Sequence, residues 1–167
     1  MSKKLKLITL DVLDLALLNQ LQTDCSLNNQ DLARLVHVSP ATCLRRVKRL
    51  LDEGMIERQI ALVDTDRLAQ RLGYGLTAIV EITLDRQDQD AVETFEARVA
   101  PDAAVQQCYR VSPGPDFILV AYANDMPGYN ALSQRLFTSD ANVRNVKAFF
   151  SIRRAKFEPR VPLECPA

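Results

Sequence analysis

Near residue 75 the spacing of apolar residues changes from helical to alternating, and this switch decides most of what the chain can become. Before it, Leu13, Leu17, Leu18 and Leu21, then Leu32, Ala33 and Val36, then Cys43, Val47 and Leu50 recur at helical intervals, as the inner faces of three helices would. After it, Leu76, Ala78, Val80, Ile82 and Leu84 alternate, the pattern of a strand with one face on a core. A chain of 167 residues built this way reads as an α+β protein of two small domains. Polar residues interrupt every apolar run well before the roughly 18 needed to span a bilayer, so no membrane partner is expected.

The start signals in the first part are specific. Asp11 caps the first helix. Asn28 caps a second, short helix with Asp31 three residues on, close to a capping-box spacing. Ser39-Pro40 opens a third, because serine accepts a bond from a free helix amide and proline suits the first helical position. Gly54 ends it, and Ile60–Val63 alternates like a short strand behind it. Two short helices joined by a tight turn, the second one basic, make a helix-turn-helix.

The whole-chain charge is zero, but its distribution is uneven. Residues 1–60 hold nine basic against seven acidic side chains, the remainder twelve against fourteen. Residues 40–51 carry Arg45, Arg46, Lys48 and Arg49 and no acid. Because salt screens each charge beyond about 10 Å, such a local stripe counts for more than the sum. With Cys43, Val47 and Leu50 turned inward, Thr42, Arg45 and Arg46 are expected to reach base edges in the major groove. Lys48 and Arg49 are expected on phosphates, with Ser39 at the helix start and Arg58 from the strand behind. Double-stranded DNA is the expected partner.

The run Leu10-Asp11-Val12-Leu13-Asp14 with Leu17-Leu18, then Asp31-Leu32-Ala33, then Val38 through Leu50, and finally Gly54-Met55-Ile56 resembles the Lrp/AsnC (leucine-responsive, feast/famine) transcriptional regulators. The likeness holds in order and spacing over some fifty residues. Departures are His37, where the family usually places glycine in the turn, and the apolar Val12 and Leu15 on a helix face often kept polar.

Asp64–Gly73 reads as a hinge. Beyond the first strand, Val92, Phe95 and Val99 mark a helix, Val105–Val111 a strand, Pro113-Gly114-Pro115 a turn, Phe117–Ala123 a strand apolar on both faces, Tyr129, Leu132 and Leu136 a helix, and Val143–Ile152 a last strand. The order β-α-β-β-α-β is the ferredoxin-like arrangement, with helices over one sheet face only. The other face, with Ile118, Val120 and Tyr122, then calls for a second copy of the chain, since large apolar patches are uncommon on monomers. The predicted organisation is a winged-type helix-turn-helix domain at residues 1–60, a hinge strand or linker at 61–74, a ferredoxin-like effector-binding and oligomerisation domain at 75–158, and a tail at 159–167.

The resemblance implies homodimers, octamers in many members, and an amino-acid effector held between subunits near a Val-Thr/Ser-Gly-x-x-Asp loop. This chain reads Val111-Ser112-Pro113-Gly114-Pro115-Asp116, so Ser112, Gly114 and Asp116 are the candidate effector residues. Pro113 stands where the family has glycine, removing one backbone donor, and Ala148 replaces a frequent Thr/Ser. Asp116 is open to two roles, pairing with an α-amino group or capping its turn.

Two other readings use the same fold class. One is a decarboxylase-type enzyme of tetrapyrrole metabolism, since fold alone does not define function. The other is an assembly protein without DNA recognition. Against catalysis, the single histidine, His37, falls in the DNA-binding turn, and no metal cluster, nucleophile–base pair or phosphate-binding loop is visible; no cofactor and no metal is expected. Cys25, Cys43, Cys108 and Cys165 form no close pair and read as free thiols of a cytoplasmic protein.

Overall fold

The computed structural model describes residues 9–73 and 75–163. The chain separates into two compact units. One takes the chain up to Leu62 together with the tail from Phe157; the other is Val63–Lys156.

In the first unit, α1 (Val12–Thr23), α2 (Asn29–Leu35) and α3 (Pro40–Asp52) follow the expected caps. Asp11 and Asp14 form a reciprocal capping box at the start of α1. The Asn28 side chain accepts from the amides of Gln30 and Asp31, and Ser39 Oγ accepts from the Thr42 amide. Leu17, Leu32, Ala33, Cys43 and Leu50 are buried at the centre, with Leu13, Leu21, Val36, Val47, Met55 and Ile56 packed around them. His37 closes the α2–α3 turn at φ 57° and Gly54 follows α3 at φ 73°.

The tail does not trail away. Val161 donates its amide to Gln22 Oε1 (2.7 Å) and accepts from Gln22 Nε2 (3.2 Å). Asn19 Nδ2 donates to the Leu163 carbonyl (3.2 Å), and Arg160 reaches Thr23 Oγ1 (3.3 Å). Residues 157–163 therefore belong with α1, which corrects the expectation of an independent tail. The part of that tail beyond residue 163 lies outside the described residues.

Two further expectations change. Ile60–Val63 forms no strand; a strand needs a hydrogen-bonded neighbour, and Ile60, Leu62 and Val63 remain more than half exposed. Most of the segment expected as a hinge is α4 (Thr65–Leu72), capped by Asp64 and ended by Gly73 in the left-handed region.

The second unit is β1 (Leu76–Leu84), α5 (Gln89–Val99), β2 (Val105–Arg110), β3 (Phe117–Ala123), α6 (Met126–Ser133, continued by a π-helical turn through Thr138) and β4 (Val143–Phe150). The sheet order is β2-β3-β1-β4, antiparallel throughout, which is the ferredoxin-like arrangement. Val80, Ile82, Leu84, Phe117 and Leu119 on the inner face pack with Phe95, Val99, Leu132 and Phe137 of the helices. The opposite face carries Ile79, paired across the sheet with Val120, and Ile118 beside Tyr109.

Candidate nucleic-acid interface

Helix α3 is held from below by Cys43 and Leu50, both wholly buried, and by half-buried Val47. Burial pushes the Cys43 thiol up from its ordinary pKa, so it acts as a small apolar side chain. At about 100° per residue along a helix, this anchoring turns Leu44, Arg45 and Lys48 outward, and all three are exposed. Thr42 is half-buried, and its hydroxyl accepts from Ser39 Oγ at 2.9 Å, tying the first turn to its cap. Asn29 Nδ2 donates to the Pro40 carbonyl (2.9 Å) and fixes α2 against the start of α3.

The basic stripe is divided. Arg46 lies at the flank of the buried face and binds Asp11 Oδ2 (2.5 Å) and Asp14 Oδ1 (3.0 Å). Arg49 is paired with Asp14 Oδ2 and approaches Glu53 at 3.6 Å. Asp14 has no exposed side-chain surface, and its Oδ2 also accepts the Asp11 amide (3.0 Å). Arg46 and Arg49 thus do not stand free as the helix pattern suggested. Their partners sit on α1 and beyond the end of α3, where the periodicity of α3 carries no information. Arg58 projects from a segment without regular structure, with Glu57 at 4.0 Å, and not from a strand. The amide of Asp14 and the guanidinium of Arg46 hold the Asp11 carboxyl below its usual pKa.

Sequence reasoning missed Asp11 and Asp14 as charge partners, having read Asp11 only as a cap. The signal available was spacing: Asp11 and Asp14, like Arg46 and Arg49, stand three apart and so share a helix face.

At the candidate effector loop, Ser112 and Gly114 are exposed, Ser112-Pro113 is cis, and Gly114 has φ 123°. Asp116 Oδ2 accepts the Leu84 amide (2.7 Å), while the Asp116 amide donates to the Ile82 carbonyl (2.9 Å) and its carbonyl accepts from Val111 (3.1 Å). The Asp116 carboxylate thus ties the loop to the end of β1, a contact that neither of the two roles considered for it had named. Two shallow cavities of this unit lie elsewhere, one lined by Tyr122, Asn124, Asp125 and Arg135, the other by Arg86, Asp90, Asp140 and Asn142. Among the described residues no group of histidine, cysteine and carboxylates is arranged to hold a metal, and no helix is long and apolar enough to cross a membrane.

Residues 10–57 match a family model described as winged helix-turn-helix DNA-binding, and residues 77–161 match that of the Lrp/AsnC ligand binding domain. The chain belongs to the Lrp/AsnC family. It is 34% identical to an uncharacterized HTH-type transcriptional regulator of Haemophilus influenzae over 155 residues, covering 93% of this chain and 90% of the relative. It is 32% identical to the leucine-responsive regulatory protein of Rhizobium meliloti, covering 89% and 93%. A solved structure, a transcriptional regulator of Neisseria meningitidis in complex with L-methionine, superposes with a TM-score of 0.80 at 30% identity, covering 93% of this chain and 97% of that one. As an Lrp/AsnC protein, the chain is a transcriptional regulator with a DNA-binding helix-turn-helix and a ligand-binding domain.

Proposed function

We propose that this regulator reads a specific DNA sequence as a homodimer, with α3 in the major groove and an amino-acid-type effector bound between subunits. The observation that carries the DNA reading is the division of α3. Cys43 and Leu50 are sealed in the core, while Arg45 and Lys48 stand exposed and outside the Asp11–Asp14 ion pairs. Arg45, with Thr42 beside it, addresses base edges, where an arginine fork to guanine is worth about 1–3 kcal/mol of discrimination. Lys48, Ser39 and Arg58 contact phosphate, which orients the helix without reading sequence.

The dimer reading rests on the uncovered sheet face with Ile79 and Phe149 exposed and with Ile118, Val120 and Tyr122 alongside. A twofold pair places two recognition helices roughly 34 Å apart on one side of the duplex. For the effector, Ser112 and Gly114 offer polar backbone and hydroxyl groups at an exposed loop, with Asp116 keeping that loop on β1. The bound L-methionine of the Neisseria meningitidis relative is the precedent for the ligand class. The protein acts by binding rather than by catalysis, in the cytoplasm where its DNA is.

The test compares a duplex that the wild-type protein selects from a random-sequence pool with a shuffled duplex of equal length. Arg45→Ala should cost the selected duplex about 1–3 kcal/mol and leave the shuffled one nearly unchanged. Lys48→Ala should weaken both alike and lower the log–log salt slope by about 0.9. Equal losses on both duplexes from Arg45→Ala would remove it from base reading.

A further inference from the structure

We infer that Asp14 is a positioning residue for DNA recognition: its buried carboxylate draws Arg46 and Arg49 inward, withholds them from phosphate, and sets the rotation of α3. The inference rests on the DNA-interface reading above and adds a division of labour within the basic stripe.

Three observations carry it. Both Asp14 oxygens are engaged, Oδ1 by Arg46 and Oδ2 by Arg49 and the Asp11 amide, in a side chain with no exposed surface. A carboxylate so enclosed is tolerable only while its cationic partners stay in place. Second, the cluster is not a cation for DNA to find. Asp11, Asp14 and Glu53 surround Arg46 and Arg49, three carboxylates about two guanidiniums, so the local sum is negative and a phosphate gains nothing by approaching. Third, Arg46 precedes Val47 by one residue, and Arg49 precedes Leu50 by one. Pinning both guanidiniums to one atom group on α1 therefore fixes the angle at which α3 lies on the core, and with it the direction of Thr42, Arg45 and Lys48. Apolar contacts alone allow a helix to roll by small amounts, whereas planar guanidinium–carboxylate pairs are directional.

Arg49→Gln and Asp14→Asn test this on the full chain, with the selected and shuffled duplexes described above. Arg49→Gln is expected to leave the salt slope where it is, in contrast to the drop of about 0.9 for Lys48→Gln. Asp14→Asn removes one of the three carboxylates and leaves Arg46 with Asp11 and Arg49 with Glu53, so the local sum rises by one charge and the inward hold on α3 is lost. Affinity for the shuffled duplex should rise, the salt slope should steepen by about 0.9, and the preference for the selected duplex should fall about tenfold or more. A slope lowered by about 0.9 in Arg49→Gln would make Arg49 a phosphate ligand and overturn the inference. So would an Asp14→Asn protein that melts lower yet keeps the wild-type slope and preference, since that is the outcome of a merely structural ion pair. Should Asp14→Asn not fold, the Arg49→Gln slope decides alone. A wild-type protein that enriches no sequence from the pool overturns the DNA reading itself and the inference with it.

Discussion

His37 sits at φ 57°, a region that costs a residue with a side chain about 1–2 kcal/mol. The turn between α2 and α3 needs that conformation, because the chain must reverse within a few residues of Val36 to present Ser39 as the next cap. Glycine adopts it freely but loses more freedom on folding, about 0.5–1 kcal/mol. His37→Gly should therefore raise stability by roughly 0.5–1 kcal/mol and the melting temperature of the first unit by a few degrees, as thermal unfolding followed by circular dichroism would record. An unchanged or lower midpoint would mean that the imidazole makes a compensating contact. At this scale the sequence was readable wherever a residue acts on its own backbone: Asp11, Asn28, Ser39 and Gly54 all cap as their types dictate. Residues that act through a distant element were not. Arg46 and Arg49 looked free because the spacing of α3 says which way a side chain leaves that helix, and nothing about the Asp14 waiting on α1. Asp116 shows the same limit, its carboxylate being taken by an amide of β1 more than thirty residues away.

Helices announced themselves through caps and period, β1 through alternation and β3 as a run apolar on both faces, with boundaries off by a residue or two at Val111 and Ile152. Errors gathered where an element depends on a neighbour. Ile60–Val63 alternates correctly for a strand but joins no ladder among the described residues. α4 hides in the sequence although Asp64 caps it, Leu68 and Leu72 share its face, and Gly73 ends it; none of its residues is buried, so the usual core signature is thin. The tail is the third case, since a proline-rich run with neither helical nor alternating period gives no hint that backbone groups of Val161 and Leu163 meet Gln22 and Asn19. A chain ended at Lys156 should lose about 1–2 kcal/mol from the first unit, a modest net value for a few exposed hydrogen bonds. Faster amide exchange at the end of α1, with protection in β1 and β3 unaltered, is the measurement that reports it. Unaltered exchange in α1 would mean the docked tail adds no stability.

For the molecule as a whole, the outer sheet face is the feature with the largest unmet demand. Ile79 is 41% exposed and Phe149 43%, and across the sheet Ile79 faces Val120, so one substitution falls at the centre of the patch. Ile79→Asp should convert the proposed homodimer to monomer in light scattering while the far-ultraviolet spectrum stays native, and affinity for a two-half-site duplex should fall with it. A dimer that persists would move the interface elsewhere. The order of elements sufficed to name the ferredoxin-like half, because few topologies satisfy β-α-β-β-α-β. It did not reveal that the other half is assembled from two stretches of sequence. Assembly from two stretches bears on how such genes can recombine. A hybrid spliced once near residue 63 would inherit its reading head from one parent and that head's closing strap from the other, with Gln22 and Asn19 facing a backbone they were never matched to. Exchanging heads between relatives cleanly takes two junctions, the second just after Lys156.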